Sequence, residues 1–342
     1  MSAHRDALRI LDANGNRAAE GLRVLEDVAR FLCDDVRASE MAKDMRHAVR
    51  HAIPAEAVAA RDSRCDVGQA LANADGVRIR LVDLVRANSA RVQEALRAAE
   101  EAARLCATSH ASSLEALRYR SYSLESALLS RLPAWLLHRV RLYVLVDAAL
   151  CADPVGIARA AARGGAGAIQ LRAKALGVRA YHELAIRVQE AVRSEGGLFI
   201  VNDHAAVARA IGADGIHVGQ DDLPCAAVRQ VVGPGCALGI SAHSPEQAIA
   251  AAAAGADYLG LGPMFPTATK PHEPAQGPQL LDALRGRITL PSYAIGGIDL
   301  ERLQLLRPRL LHGVAVAAAV CRAPDPQDMA ERMHRVLEPE DA

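Results

Sequence analysis

The sequence predicts an α/β chain, a (β/α)8 TIM barrel preceded by an all-α N-terminal domain. Three observations lead there. From about residue 140 onward, eight short apolar or β-branched runs alternate with polar or glycine-rich loops and Ala-rich amphipathic segments. Residues 1–130 hold no such runs and read as Ala, Leu, Arg and Glu at helical spacing. The 342 residues are long for one compact unit, and 51% apolar content suffices for two cores.

Composition narrows the classes. Aromatics are only 3%, so the cores are expected to be built from Ala, Leu, Val and Ile. Forty basic and forty acidic side chains cancel, which argues against a nucleic-acid partner. The seven cysteines are scattered, odd in number and without zinc spacing, so reduced thiols and a cytoplasmic location are expected. No stretch of about 18 apolar residues or cleavable leader pattern is present, so no membrane span is expected.

In the first half a motif recurs. Asn14, Arg17, Glu20, Leu22, Arg23, Glu26 and Arg30 reappear as Asn88, Arg91, Glu94, Leu96, Arg97, Glu100 and Arg104, at one offset of 74. Steps of three and four place these charges on one helical surface. A solvated, salt-bridged face is the plain reading of a lone charge run. Duplication of identity and spacing favours a pseudo-symmetric helical domain whose Arg/Glu faces meet at an interface or pocket. The seam falls at residues 130–140, with Pro133 and the only tryptophan, Trp135, giving domains 1–132 and 139–342.

The strand candidates of the second half are Leu142–Val146, Ala168–Leu171, Leu198–Val201, Gly215–Val218, Ala237–Ile240, Tyr258–Leu261, Ser292–Ile295 and Gly313–Val316. Helices lie between them, for example Arg179–Ser194 and Pro245–Ala254. The latter has Ser244 as N-cap, Pro245 at its first position and Gly255 at its end. A doubly wound sheet would more typically show five or six strands.

In such a barrel the chemistry sits at the C-terminal strand ends. After the second strand, alternation sends Gln170, Arg172 and Lys174 to one side, an amide and two cations suited to a phosphate or diphosphate. Asp203 follows the third strand beside Asn202, and Asp222 follows the fourth, with Asp221 a competing neighbour. Two carboxylates on adjacent strand ends suit Mg2+, which completes its octahedron with waters and phosphate oxygens. Ser241 ends the fifth strand and could bond a heterocycle or its own loop; His243 has the same ambiguity and is set aside. The loop after the sixth strand carries Thr267, Thr269 and Lys270, a second anion-recognition element. Gly296–Gly297 after the seventh and the turn at Ala317–Ala318 after the eighth can offer backbone N–H groups to a phosphate. The sum is an enzyme joining or rearranging phosphorylated small molecules.

Six segments in order, LYVLVD, QLRAK, FIVNDHAAVARAIGADGIHVGQDDLP, GISAHS, DYLGLGPMFPTATK and AIGGI, together resemble thiamine phosphate synthase over about 200 residues. The resemblance implies a transferase that joins the diphosphate of 4-amino-5-hydroxymethyl-2-methylpyrimidine to a phosphorylated thiazole. It implies that Gln170, Arg172, Lys174 and Asn202 hold the pyrimidine diphosphate, with Lys270 on the diphosphate, Ser241 on the pyrimidine, and Asp203 and Asp222 on Mg2+. Thr267, Thr269, Gly297, Ala317 and Ala318 would receive the thiazole phosphate. The implied mechanism is dissociative: diphosphate leaves, Arg172, Lys174 and Lys270 stabilise its charge, and the thiazole nitrogen captures a pyrimidine methylene cation.

Two positions depart from the family pattern. Ala173 stands where Glu is common, though that side chain should point away from Arg172 and Lys174. Ala318 stands where a serine is usual, which removes a hydroxyl from the phosphate turn. A related thiazole isomerase, or tautomerase, is the competing reading of the barrel. It needs no diphosphate–Mg site, so Asp203, Asp222 and the PTATK loop weigh against it.

The first half resembles the helical domain fused to some thiamine phosphate synthases and proposed as an alternative pyrimidine-phosphate kinase. The resembling segments are Leu11–Arg17 through Glu26–Asp27, Arg64–Gly68 and Arg118–Arg120. That resemblance implies ATP as co-substrate. The residues themselves show no G-x-x-x-x-G-K-[ST] loop, and Lys43 is the only lysine before Lys174. A dimerisation or regulatory module is the alternative, and a homo-oligomer stays open.

Overall fold

The structure, a computed structural model, describes residues 2–60, 81–106, 110–267 and 274–338. It divides into two compact units, Met1–Leu132 and Pro133–Ala342.

The first unit is helical: α1 (Ser2–Asp27) passes through a π-helical turn to α2 (Val36–Ala52), followed by α3 (Ala55–Ala59), α4 (Leu81–Leu105) and α5 (Ala111–His138). Asp35 caps α2 by accepting from the Ala38 N–H at 3.0 Å. Leu11, Leu22, Leu25, Met45, Leu96, Leu114 and Leu124 fill its core. The sequence repeat is a repeat of contacts. The Asn14 amide donates to Ile10 O at 2.9 Å, and Asn88 donates to Leu84 O at 2.8 Å. Arg23 pairs with Glu26 and Asp27 as Arg97 pairs with Glu100 and Glu101. Each glutamate is buried and takes an arginine from the following helix: Arg46 of α2 at 2.9 Å from Glu26, Arg118 of α5 at 3.2 Å from Glu100. Burial pushes the Glu100 pKa up, but the Arg118 bond and the charges of Arg104 and Arg97 outweigh it and hold the pKa below the usual range. Arg17, Glu20, Arg91 and Glu94 are exposed. The duplicated surface is therefore part helix clamp and part solvated face.

The seam is itself helical, since α5 continues through Pro133 to His138. Proline there removes one backbone donor without ending the helix. Leu137 then closes the lower end of the second unit, its carbonyl accepting from the Tyr293 hydroxyl at 2.8 Å.

Among the described residues, eight parallel strands close into a barrel in chain order. They are β1 (Leu142–Asp147), β2 (Ala168–Arg172), β3 (Leu198–Asn202), β4 (Gly215–Val218), β5 (Ala237–Ala242), β6 (Tyr258–Leu261), β7 (Ser292–Ile295) and β8 (Gly313–Val316). Four run one or two residues past the sequence reading, and each extension carries a polar group or a loop attachment toward the upper rim. The surrounding helices are α6 (Pro154–Arg163), α7 (Val178–Arg193), α8 (Ala205–Ile211), α9 (Cys225–Val232), α10 (Pro245–Ala253), α11 (Gln279–Leu284), α12 (Leu300–Leu306), α13 (Ala318–Cys321) and α14 (Pro326–Leu337). Ser244 caps α10 as expected, accepting from the Gln247 N–H at 3.3 Å. Outward strand residues such as Val144, Leu171, Val201 and Leu259 pack with these helices in an aliphatic layer.

The interior departs from the aliphatic expectation. Tyr143, Tyr258 and Tyr293 meet at its centre, with ring centroids 5.2–6.0 Å apart. Gly239 makes room, because a Cβ there would overlap the Tyr258 ring. No helix among the described residues is long and apolar enough to cross a membrane.

Candidate active site

The upper end of the barrel opens into a cavity of about 390 Å3. Its wall includes Gln170, Arg172, Asn202, Ser241, Thr267, Gly297, Ala317 and Ala318, eight of the residues singled out from sequence. Thr269 and Lys270 lie outside the described residues.

Gln170 faces inward from β2 and is 2% exposed. Its Nε2 donates to the Tyr143 hydroxyl at 2.8 Å, while its Oε1 has no protein partner. A buried carbonyl oxygen left in that state is an acceptor waiting for a donor. Arg172, two residues on, is held by Asp147, which ends β1 and is almost fully buried. Asp147 also accepts from the Ala149 N–H at 3.0 Å. Ala173 between the two cations is buried in the aliphatic layer, on the face away from the cavity, as alternation requires.

Just beyond this wall Lys174 stands 3.5 Å from Asp203. Asp203 adopts a left-handed backbone, φ 62°, and its N–H donates to His217 O at 2.9 Å. That bond ties the end of β3 to β4 and turns the carboxylate toward Asp222. Burial first, and then the facing Asp222 charge, raise the Asp203 pKa above the ordinary value; Lys174 opposes them. Asp222 is fixed by accepting from the Gly219 N–H at 2.7 Å. Two crowded carboxylates, one partly desolvated, form the donor set that a hard divalent ion relieves, and Mg2+ needs only one or two from protein. The residues present therefore fit such an ion.

On the opposite wall, Met264 and Phe265 donate backbone N–H groups to Ile295 O at 2.8 Å and Gly296 O at 3.0 Å. This pins the loop after β6 onto the glycine turn after β7. Gly297 has φ 65°, and a Cβ there would lie 2.6 Å from Pro266 O, so only glycine fits. Ala317 O accepts from the N–H groups of Val320 and Cys321 at 3.1 and 2.9 Å, closing the turn after β8.

Sequence reasoning missed several groups in and around the cavity. Asp147 was legible as a charge ending an apolar run. Arg302 lines the cavity beside Gly297, donating to its carbonyl at 2.6 Å with its guanidinium carbon 5.0 Å from the Phe265 ring centroid. His243, set aside on sequence, also lines the cavity, with Nδ1 2.5 Å from Gly262 O. His217, Tyr143 and Tyr258 form the floor. Each stands at an inward strand position, but nothing local marks an inward residue as cavity-facing rather than core.

A closed parallel barrel with cations, paired carboxylates and glycine turns around one upper cavity defines a (β/α)8 enzyme. A model of the thiamine monophosphate synthase family matches residues 142–320, and one of the ThiD2 family matches residues 9–127. The chain is 39% identical to a thiamine-phosphate synthase of Gloeobacter violaceus over 93% of each chain. It is 38% identical to one of Thermosynechococcus vestitus, over 96% of this chain and 94% of the relative. Among solved structures, a thiamine phosphate pyrophosphorylase of Pyrococcus furiosus superposes with TM-score 0.55 at 32% identity, covering 59% of this chain and 97% of that one. The chain belongs to the thiamine-phosphate synthase family.

Proposed function

We propose that the barrel joins a 4-amino-5-hydroxymethyl-2-methylpyrimidine diphosphate to a thiazole phosphate, forming thiamine phosphate and releasing diphosphate. The observation that carries this is a cavity lined by Arg172 and Gln170, whose Oε1 has no protein partner, with the crowded Asp203–Asp222 pair just beyond its wall. Arg172, Lys174 and Lys270 hold the diphosphate, with Arg172 aimed by Asp147. Asp203 and Asp222 hold Mg2+, which when bound shields charge on the departing group. Asn202 joins the diphosphate side. Gln170 and Ser241 hold the pyrimidine, and Gln170 Oε1 accepts from its amino group.

As the methylene C–O bond breaks, both electrons leave with the diphosphate, and the surrounding cations stabilise them. The electron-rich aminopyrimidine supports the resulting methylene cation. The thiazole nitrogen supplies the pair for the new C–N bond. No protein nucleophile takes part. Thr267, Thr269, Gly297 and the Ala317–Ala318 turn position the thiazole phosphate. Arg302 adds a guanidinium there, where Ala318 supplies no hydroxyl.

On its resemblance to an alternative pyrimidine-phosphate kinase, we read the helical unit as phosphorylating the pyrimidine monophosphate from ATP and furnishing the substrate of the barrel; residues 9–127 match the ThiD2 family. Incubating the full chain with pyrimidine diphosphate, thiazole phosphate and Mg2+ should yield thiamine phosphate and diphosphate. Absence of both products refutes the barrel assignment. Adding ATP and pyrimidine monophosphate to the Asp203→Asn variant, whose barrel is disabled, should yield ADP and pyrimidine diphosphate. Unchanged ATP would leave the helical unit a dimerisation or regulatory module.

A further inference from the structure

Tyr181 stands in the first turn of α7, but its side chain reaches back to the rim of the barrel and is 1% exposed. Its hydroxyl accepts from the Asn202 N–H at 3.1 Å and donates to Leu171 O at 2.8 Å. An N–H can only donate, so the single hydroxyl proton is left for the carbonyl. Burial above all, joined by the Asp203 charge and opposed by the Asn202 bond, pushes the Tyr181 pKa up, and that proton stays in place. The two partners belong to the uppermost step between β2 and β3, where Leu171 lies opposite Val201. Arg172 follows Leu171 directly, and Asp203 follows Asn202.

This clasp bears most on Asp203. A φ of 62° is one that a residue with a side chain keeps only where its surroundings fix it. Three contacts do so here. Asn202, before it, gives its N–H to the tyrosine. His204, after it, packs its ring against the Tyr181 ring, with centroids 4.6 Å apart. The Asp203 N–H itself is taken by His217 O at 2.9 Å. One buried tyrosine therefore grips the residues on both sides of a carboxylate held in an unfavourable backbone conformation, and it does so without lining the cavity.

We propose that Tyr181 is a positioning residue for the divalent ion: by clasping Leu171 O and the Asn202 N–H and packing on His204, it keeps Asp203 turned toward Asp222. Both carboxylates then meet one ion without the chain having to rearrange. The inference rests on the reading of Asp203 and Asp222 as the Mg2+ ligands. A group that orients a ligand without touching the ion typically governs metal affinity by about 10- to 100-fold. Thr267, Gly297 and Ala318 stand on the opposite wall, so the thiazole phosphate should not sense the clasp.

Mn2+ serves as the probe, its binding to the full chain read from the free-ion electron paramagnetic resonance signal, alone and with inorganic diphosphate. Tyr181→Phe should weaken Mn2+ binding about 10-fold or more. Its turnover should fall at low Mg2+ and recover as Mg2+ is raised, with KM for the thiazole phosphate unchanged. A role confined to stability would leave Mn2+ affinity per folded molecule as it was. Unchanged Mn2+ affinity therefore overturns the proposal, and so does a loss of turnover that excess Mg2+ fails to restore. Should Tyr181→Phe not fold, His204→Ala removes the ring contact and leaves the main-chain bonds in place. Weaker Mn2+ binding in that variant supports the clasp, and unchanged binding overturns it. Asp203→Asn separates the two readings. If it binds Mn2+ as tightly as the wild type, the ligand assignment falls and the clasp with it; if it binds weakly while Tyr181→Phe does not, only the clasp falls.

Discussion

At the lower end of the barrel, Asp214 precedes β4 and Asp257 precedes β6. Each carboxylate accepts a backbone N–H, from Phe199 at 3.0 Å and Leu238 at 2.8 Å. Each also takes an arginine, Arg193 at 3.2 Å and Arg229 at 2.6 Å. Those arginines go on to carbonyls, Gly212 O at 2.7 Å and Cys236 O at 2.6 Å. At the upper end the same residue types meet differently. Arg172 is anchored by Asp147 yet lines the cavity, Lys174 stands 3.5 Å from Asp203, and Asp203 is crowded by Asp222. Below, the charges stitch one βα unit to the next, although Arg193 Nε is left buried without a hydrogen bond. Above, capacity is left over: a bare Gln170 oxygen and the Arg172 guanidinium at the cavity, and repelling carboxylates just beyond its wall. The role of an ion pair follows from whether its charges line a cavity or join neighbouring elements, not from the pair itself.

The sharpest way to break this contrast is to delete one arginine from each end. Arg172→Ala should lower kcat/KM by about 1,000-fold, because a cation facing the leaving group is lost. It should also cost about 3 kcal/mol of stability, since Asp147 is left buried without its partner. Arg229→Ala should cost about 2 kcal/mol and leave kcat per folded molecule unchanged. Urea unfolding and steady-state kinetics on both variants read the two effects. Loss of kcat in Arg229→Ala would erase the distinction between the ends.

A smaller effect in rate, but opposite in stability, is expected of Asp222→Asn. Turnover should drop about 100-fold with loss of a metal ligand. In metal-free buffer, however, the variant should be as stable as the wild type or more so. An acid whose folded pKa stands above its unfolded value favours folding while protonated, and that contribution is lost as pH rises through the folded pKa. Asp203 is in this position, through burial and through Asp222. The metal-free wild type should therefore lose stability as pH climbs from the ordinary Asp range through the raised value. Asp222→Asn should lessen that slope, leaving the part that burial contributes. Denaturant midpoints between pH 4 and 7 check it, and an unchanged slope would mean that the two carboxylates do not interact.

How much of this was legible in sequence follows from the period of each element. Strand alternation placed Gln170 and Arg172 on one face and Ala173 on the other, and the spacing of apolar runs marked all eight strands. The paired carboxylates were legible because they lie in the loops that follow two adjacent strands. What local pattern could not supply was depth. Tyr143, His217 and Tyr258 alternate like any inward residues, and only closure of the barrel brings β1, β4 and β6 around a common centre. Arg302 sits in a helix, where an arginine reads as solvated; its approach to Gly297 depends on how α12 folds back over the β7 turn. The seam read at Pro133 lies inside α5. A domain boundary need not interrupt a helix, and one lost backbone donor is tolerated when the flanking turns are otherwise bonded.

The weakest effects are expected at the far wall, where they sharpen the contrast by asking whether the upper end holds spare binding capacity. Arg302→Ala should raise KM for the thiazole phosphate about 10-fold, equivalent to about 1.4 kcal/mol, and leave KM for the pyrimidine diphosphate unchanged. Ala318→Ser restores a hydroxyl to the turn after β8 and should lower the same KM by about threefold at most, because backbone donors already serve there. The double variant distinguishes a shared ligand from separate structural roles. If both side chains reach one phosphate, the serine should recover part of what the arginine loss removed, and the two effects should not add. Strict additivity, or a shift in both substrates' KM values, would place Arg302 with the arginines of the lower end, as a clamp on the β7 turn.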